Sequence, residues 1–225
     1  SMVSGWLGSP FDAPVWKVVL PLGISFYTFE AISYVVDVYR GSIRPFRSPR
    51  DYLLYILFLP HLLAGPIVRS GDFALQLHRP KRFSWARFEA GVRLFLVGAF
   101  KKAVLADWMA TIVDPVFNDP AGYGTAALWT ATLGYSVQIY GDFSGYSDLA
   151  IGIAHMLGFK LPDNFRTPYL SASIAEFWRR WHISLSSWLR DYLYIPLGGS
   201  RGGEWLTCRN LMITMALGGL WHGAS

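Results

Sequence analysis

Long apolar runs separated by short basic loops organise this chain. Six runs, at 15–37, 52–68, 88–113, 125–158, 174–197 and from near Asn210 onward, are apolar enough to enter a membrane. The first has about 23 residues, enough to span a hydrocarbon core. The second is shorter and carries Pro60, His61, Gly65 and Pro66. A proline inside a helix removes a hydrogen bond and kinks it. In lipid such a break survives only where protein or a water cavity shields the backbone. The third run contains Arg93, Lys101 and Lys102, and the fifth is amphipathic and rich in Trp. The fourth exceeds one span, and its polar stretch Tyr140-Gly141-Asp142-Phe143-Ser144-Gly145-Tyr146-Ser147-Asp148 predicts an interruption. The pattern predicts an all-α, multi-pass transmembrane helical bundle with broken or re-entrant helices. With no internal repeat, heptad or low-complexity stretch, 1–225 reads as a single membrane-embedded module.

The loops suggest an orientation. Residues 40–50 hold four arginines, and residues 69–87 hold Arg69, Arg79, Lys81, Arg82 and Arg87. Cytoplasmic loops of membrane proteins are enriched in Lys and Arg, so both are expected inside. Both cannot be inside if 52–68 crosses once, so that run is expected to be a re-entrant hairpin. Loop 114–124, with Asp114 and Asp119 and no basic residue, then falls outside, and 198–209 returns inside.

Composition supports a lipid-facing protein: 52% of residues are hydrophobic and 16% charged, against about 25% charged in soluble domains. Ten tryptophans suit stations at membrane interfaces. The net charge of +5 follows from the basic loops and does not indicate nucleic-acid binding. A lone cysteine, Cys208, excludes an intrachain disulfide framework and a Cys-rich metal site. It has no obvious base beside it, so a thiol nucleophile is not expected. The start, Ser1-Met2-Val3-Ser4-Gly5, lacks the marks of a signal peptide. The last residue, Ser225, directly follows an apolar run, as in a chain cut from something longer.

Two histidines stand out. In Trp221-His222-Gly223, a helix starting near Asn210 places His222 twelve residues in, about 18 Å deep. An ionisable residue near mid-membrane is a functional candidate by default, with an interhelical hydrogen bond as the structural alternative. Gly218, Gly219 and Gly223 permit close approach of a ligand or another backbone. The second histidine lies in Glu176-Phe177-Trp178-Arg179-Arg180-Trp181-His182-Ile183-Ser184. On one helix, Arg179, His182, Ser186 and Arg190 would share a stripe. An interfacial amphipathic helix explains most of its charges but not the histidine at its centre. Neither histidine has a ligand partner at helical spacing, so no metal site is expected.

Asp142, Ser144, Tyr146 and Asp148 must line a cavity or another helix, since lipid exposure would leave polar groups unsatisfied. The two aspartates orient a base, bind hydroxyls, or pair with Arg179 or Arg180. His61 is expected to bond the backbone freed by the prolines, or to act in the chemistry directly. His155 and Met156 read as packing residues.

Pro60-His61-Leu62-Leu63-Ala64-Gly65-Pro66, Tyr140 to Asp148, Glu176 to Ser186, Arg190-Asp191-Tyr192-Leu193-Tyr194-Ile195-Pro196-Leu197-Gly198-Gly199 and the final Gly218 to Ser225 together resemble the membrane-bound O-acyltransferase family. The nearest branch is the alginate O-acetyltransferases and relatives that act on peptidoglycan and other polymers. The resemblance implies a partial version of a helical bundle with a central tunnel, truncated at both ends, since family members have helices before residue 15 and beyond Trp-His-Gly. It implies His222 as the catalytic base and His182 as a second active-site histidine, with Asp142, Ser144, Tyr146, Asp148, Arg179, Trp221 and His61 as substrate or tunnel-lining candidates. No cofactor is implied as resident. The donor would be a thioester, acetyl-coenzyme A or an acyl carrier, and the acceptor an exported polysaccharide at the bacterial inner membrane. A periplasmic or extracellular acetyltransferase would be the partner protein. Alginate, peptidoglycan, cellulose and D-alanylated teichoic acid remain open as acceptors. A transporter or channel, or a non-catalytic acyl relay, remains as an alternative.

Overall fold

The computed structural model describes residues 23–62 and 65–223, and every element among them is helical. The polar loops set where helices begin. Helix α1, Ile24–Tyr39, ends in the basic loop at Arg40. Helix α2, Pro49–Ile56, starts with Pro49 in its first turn and with the Ser48 hydroxyl accepting the Arg50 N–H, the capping that these residue types favour. The run 52–68 then breaks. Leu57 ends α2, the four-residue α3 (Leu59–Leu62) follows, and 65–69 is extended before α4, Ser70–Leu77. At 1.5 Å per residue α2 is about 12 Å long, too short to cross a membrane. Arg40 and Arg69 both lie over the Tyr192 ring, 5.6 and 4.5 Å from its centre, so the two basic loops approach each other there.

A helical hairpin forms the second half of the framework. Helix α5, Trp85–Phe100, passes through a π-helical segment, Lys101–Ala106, into α6, Asp107–Asn118. Helix α7, Thr125–Met156, returns alongside it for 32 residues. The expected interruption at Tyr140–Asp148 is absent, and the whole stretch is helical. Its two aspartates are paired without breaking the backbone: Lys101 pairs with Asp148 at 2.6 Å and Lys102 with Asp142 at 2.7 Å. The expected partners Arg179 and Arg180 are not used, and Arg180 pairs with Glu176 instead.

The glycines explain why this stretch looked like a break. A Cβ on Gly145 would sit 2.9 Å from the Gly98 carbonyl oxygen, and one on Gly98 would sit 2.6 Å from that of Gly145. Gly91 and Gly152 repeat the arrangement, each 2.7 Å from the other's carbonyl. These positions bring two backbones into contact, the use small residues serve between packed helices.

Residues 174–197 also depart from expectation. The predicted single helix is two short ones, α8 (Ile174–Arg180) and α9 (Ile183–Leu189), followed by a π-helical segment, Arg190–Tyr194. Trp181 is extended and His182 is left-handed, with φ 43° and ψ 55°. The stripe Arg179–His182–Ser186–Arg190 is therefore not one helical face. Helix α10, Glu204–His222, begins six residues earlier than expected, so His222 stands about 27 Å from its start rather than about 18 Å.

No described helix is long and apolar enough to cross a membrane. Helix α7 has the length, but its aspartates and its many Gly, Ser and Thr residues dilute its hydropathy. Part of the first apolar run, 15–22, lies outside the described residues. Even so, large apolar side chains face outward: Trp85 is 74% exposed, Trp129 66% and Trp108 62%. Such surfaces mark contact with lipid or other protein. The interior is small and aromatic, with Tyr55, Phe58, Phe73 and Ile151 in one cluster and Ile67, Leu185 and Trp188 in another.

Adding a methyl between the paired backbones should be costly. Gly98→Ala and Gly145→Ala are each expected to destabilise the hairpin by about 1–3 kcal/mol through overpacking. Gly219→Ala, whose Cβ would meet nothing within 4 Å, should leave stability unchanged or raise it. Thermal unfolding in detergent, followed by circular dichroism, tests the contrast.

Candidate active site

The break between α8 and α9 turns His182 inward. It is buried, its ring edge-on to Phe143 of α7 with centroids 4.6 Å apart, and its Nδ1 lies 3.1 Å from Asn164 Oδ1. The same oxygen accepts the Ser184 N–H at 3.2 Å and the Ser184 hydroxyl at 2.9 Å. The Asn164 amide donates to the Ser147 hydroxyl at 3.1 Å, and Ser184 Oγ accepts the Ile67 N–H at 3.0 Å. All four polar side chains are buried, where an unmade hydrogen bond costs most.

His222 lies at the C-terminal end of α10. Its neighbour Trp221 packs edge-on against Phe29 of α1, with centroids 4.9 Å apart. His222 itself is exposed and borders a cleft of about 380 Å³ between α9, the Arg190–Tyr194 segment and α10. The walls are mostly apolar, with Trp178, Leu185, Leu189, Leu211, Met215 and Gly218. Ser186, Arg190, Tyr194, Thr214 and His222 supply its polar groups. A mainly apolar cleft with a few convergent polar groups is the form ligand sites usually take. His182, from a motif forty positions earlier, is not among the residues that line this cleft.

The structure sorts the remaining candidates. Arg179 is exposed and shares a smaller cleft of about 280 Å³ with Ser186 and Arg190. The stripe members other than His182 thus meet outside the helix pair, while His182 points the other way. Asp142, Tyr146 and Asp148 lie on the Lys101–Lys102 side, and Lys102 stands 5.6 Å from the Tyr146 ring centre. That places them away from the His222 cleft, whose lining includes none of them. Ser144 is buried, and its hydroxyl has no partner among the described residues. Among the described residues the His61 ring makes no bond to the proline-freed backbone; its Nε2 lies 3.1 Å from Glu30 Oε2, with both residues 1% exposed. The second Glu30 oxygen accepts the Val68 N–H at 3.1 Å. Among the described residues no group of three or more potential ligands is arranged for a metal ion.

Sequence reasoning missed Asn164 and Glu30. Asn164 sits in Leu161-Pro162-Asp163-Asn164-Phe165 and reads as an ordinary turn. Glu30 is a carboxylate near the middle of an apolar helix, which is a signal in principle because buried charge needs a partner.

The motifs that hold His182 and His222 thus sit on an all-helical framework, His182 buried against α7 and His222 beside an apolar cleft. The chain belongs to the membrane-bound O-acyltransferase family, whose sequence model matches residues 47–225. It is 51% identical over 210 residues to the probable alginate O-acetylase AlgI of Pseudomonas syringae pv. tomato, covering 92% of this chain and 40% of that protein. It is 38% identical to the peptidoglycan O-acetyltransferase of Helicobacter pylori, over 93% of this chain and 46% of that protein. The teichoic acid D-alanyltransferase of Bacillus subtilis is 29% identical, over 93% of this chain and 55% of its own length. The chain therefore spans about half or less of the length of these relatives.

The Glu30–His61 pair anchors α1 to the broken 52–68 run. Removing one partner of a buried pair leaves the other uncompensated, at a cost of about 3–5 kcal/mol. Glu30→Ala should therefore lower stability by that amount, and the double variant Glu30→Leu/His61→Leu should recover part of the loss. Denaturation midpoints of the single and double variants measure it.

Proposed function

We propose that this chain is the histidine-bearing part of a multi-pass membrane O-acyltransferase. It moves an acetyl group from a cytoplasmic thioester, acetyl-coenzyme A or an acyl carrier, towards hydroxyls of an exported polysaccharide such as alginate. The observation that carries this reading is His222, from the Trp-His-Gly motif, at the border of the mainly apolar cleft between α9 and α10. Alginate is favoured among acceptors by the 51% identity to a probable alginate O-acetylase, against 38% and 29% to the relatives named for peptidoglycan and teichoic acid. A bacterial inner membrane and a periplasmic or extracellular acetyltransferase as the next acyl acceptor fit the same reading.

The chemistry follows from the cleft. The acyl group lies against its apolar wall, which excludes water that would otherwise hydrolyse the thioester. His222 takes the proton of the attacking hydroxyl as its oxygen bonds to the acyl carbon, which a neutral imidazole can do. Arg190 and Tyr194, which border the cleft, are the candidate donors to the resulting oxyanion. Collapse expels the thiolate, and the proton held by His222 passes to it. The tunnel through a complete bundle would draw on segments beyond this chain.

General-base catalysis contributes about 10²–10⁴-fold, so His222→Ala and His182→Ala should each lower transfer by at least about 10²-fold. The assay follows labelled acetyl from acetyl-coenzyme A in membranes carrying the full-length protein. Transfer that survives His222→Ala at the wild-type rate would refute the base assignment.

A further inference from the structure

We infer that Asn164 is the residue that positions His182 for proton transfer, a role that rests on the reading of the two histidines given above. The orientation of the Asn164 amide is fixed by its neighbours. A backbone N–H can only donate, so the atom 3.2 Å from Ser184 N is the oxygen. That oxygen also faces His182 Nδ1 at 3.1 Å. A carbonyl oxygen carries no proton, so the contact requires the proton on Nδ1. In a neutral imidazole the other nitrogen, Nε2, is then bare and able to accept. No hydrogen bond from the described residues reaches Nε2. One side chain thus selects which nitrogen of His182 is basic.

The same residue also holds the backbone that aims the ring. His182 has φ 43°, one of two positive-φ residues other than glycine among those described, a region that side chains seldom occupy. The Ile183 N–H donates to the Asn164 carbonyl at 2.9 Å, immediately after that turn. Phe143 closes one side of the ring at right angles. Outliers of this kind are kept where the surroundings over-determine them, and they concentrate at functional sites.

A purely structural role is the competing account, because the bonds to Ile183 and Ser184 cap the start of α9. Capping affects stability alone, whereas tautomer selection affects the proton affinity of Nε2. Three variants separate them, assayed in membranes carrying the full-length protein, with labelled acetyl-coenzyme A and the polysaccharide acceptor. Asn164→Ala should lower kcat about 10–100-fold, the usual effect of losing a partner that orients an imidazole, with KM within about two-fold. Asn164→Asp keeps an acceptor on Nδ1 and strengthens it. It should retain kcat near pH 8 and move the acidic limb of the kcat profile to higher pH, because a facing carboxylate favours the protonated ring. Ser184→Ala removes a hydroxyl from the same oxygen and strands the Ile67 N–H, so it should lower thermal stability while keeping the wild-type pH profile.

Wild-type kcat and pH profile in Asn164→Ala would overturn the inference. If that variant does not fold, an unmoved acidic limb in Asn164→Asp overturns it. His182→Gln separates the two levels. If it keeps full activity, the reading of His182 as an active-site residue falls and the role of Asn164 falls with it. If it is inactive while Asn164→Ala and Asn164→Asp both behave as wild type, the inference about Asn164 alone is wrong.

Discussion

One buried amide ties three separate parts of this molecule together. Asn164 bonds Ser147 of α7, Ser184 at the start of α9 and the ring of His182, and Ser184 in turn bonds the backbone at Ile67. Each contact is buried, so none is easily replaced by water, and the groups share one arrangement in which all are satisfied. The broken 52–68 run, the long helix α7 and the α8–α9 turn are thereby fixed relative to one another. The orientation of His182 is a consequence of that agreement.

The hairpin of α5, α6 and α7 supplies the rigid side of the same arrangement. Its helices touch through Gly91, Gly98, Gly145 and Gly152, so the distance between them is set by backbone contact and is insensitive to side-chain rotamers. The charges within it are paired along the same seam, at Lys101–Asp148 and Lys102–Asp142. Neutralised in this way, a seam of lysines and aspartates tolerates an apolar setting better than isolated charges would. The opposite side of α7, with Phe143 and Ser147, is left for the histidine and its amide.

The second histidine is held quite differently. His222 is exposed at the end of α10, anchored through Trp221 against Phe29 of α1, and faces a cleft of about 380 Å³. A buried, hydrogen-bonded imidazole and an exposed one beside an apolar wall suit different tasks: one oriented and fixed, the other open to substrate.

Much of this was legible in the sequence because it depends on local pattern. Apolar runs and prolines marked the helical class and the break in 52–68. The motif residues marked both histidines. Two readings failed for one reason. Gly141, Ser144 and Gly145 lower hydropathy whether they interrupt a helix or let it touch a neighbour, and only the position of α5 decides which. The Arg179–His182–Ser186–Arg190 spacing fits one helix, but the buried acceptor at Asn164 makes it favourable for the chain to turn at His182 and bury the ring. Asn164 itself, in a short polar loop, carried no local signal. The sequence by itself determined which residues are candidates for the chemistry, since that depends on residue type and order. Which way each points was decided by tertiary structure, because a hydrogen bond between residues 18 positions apart has no periodicity to betray it.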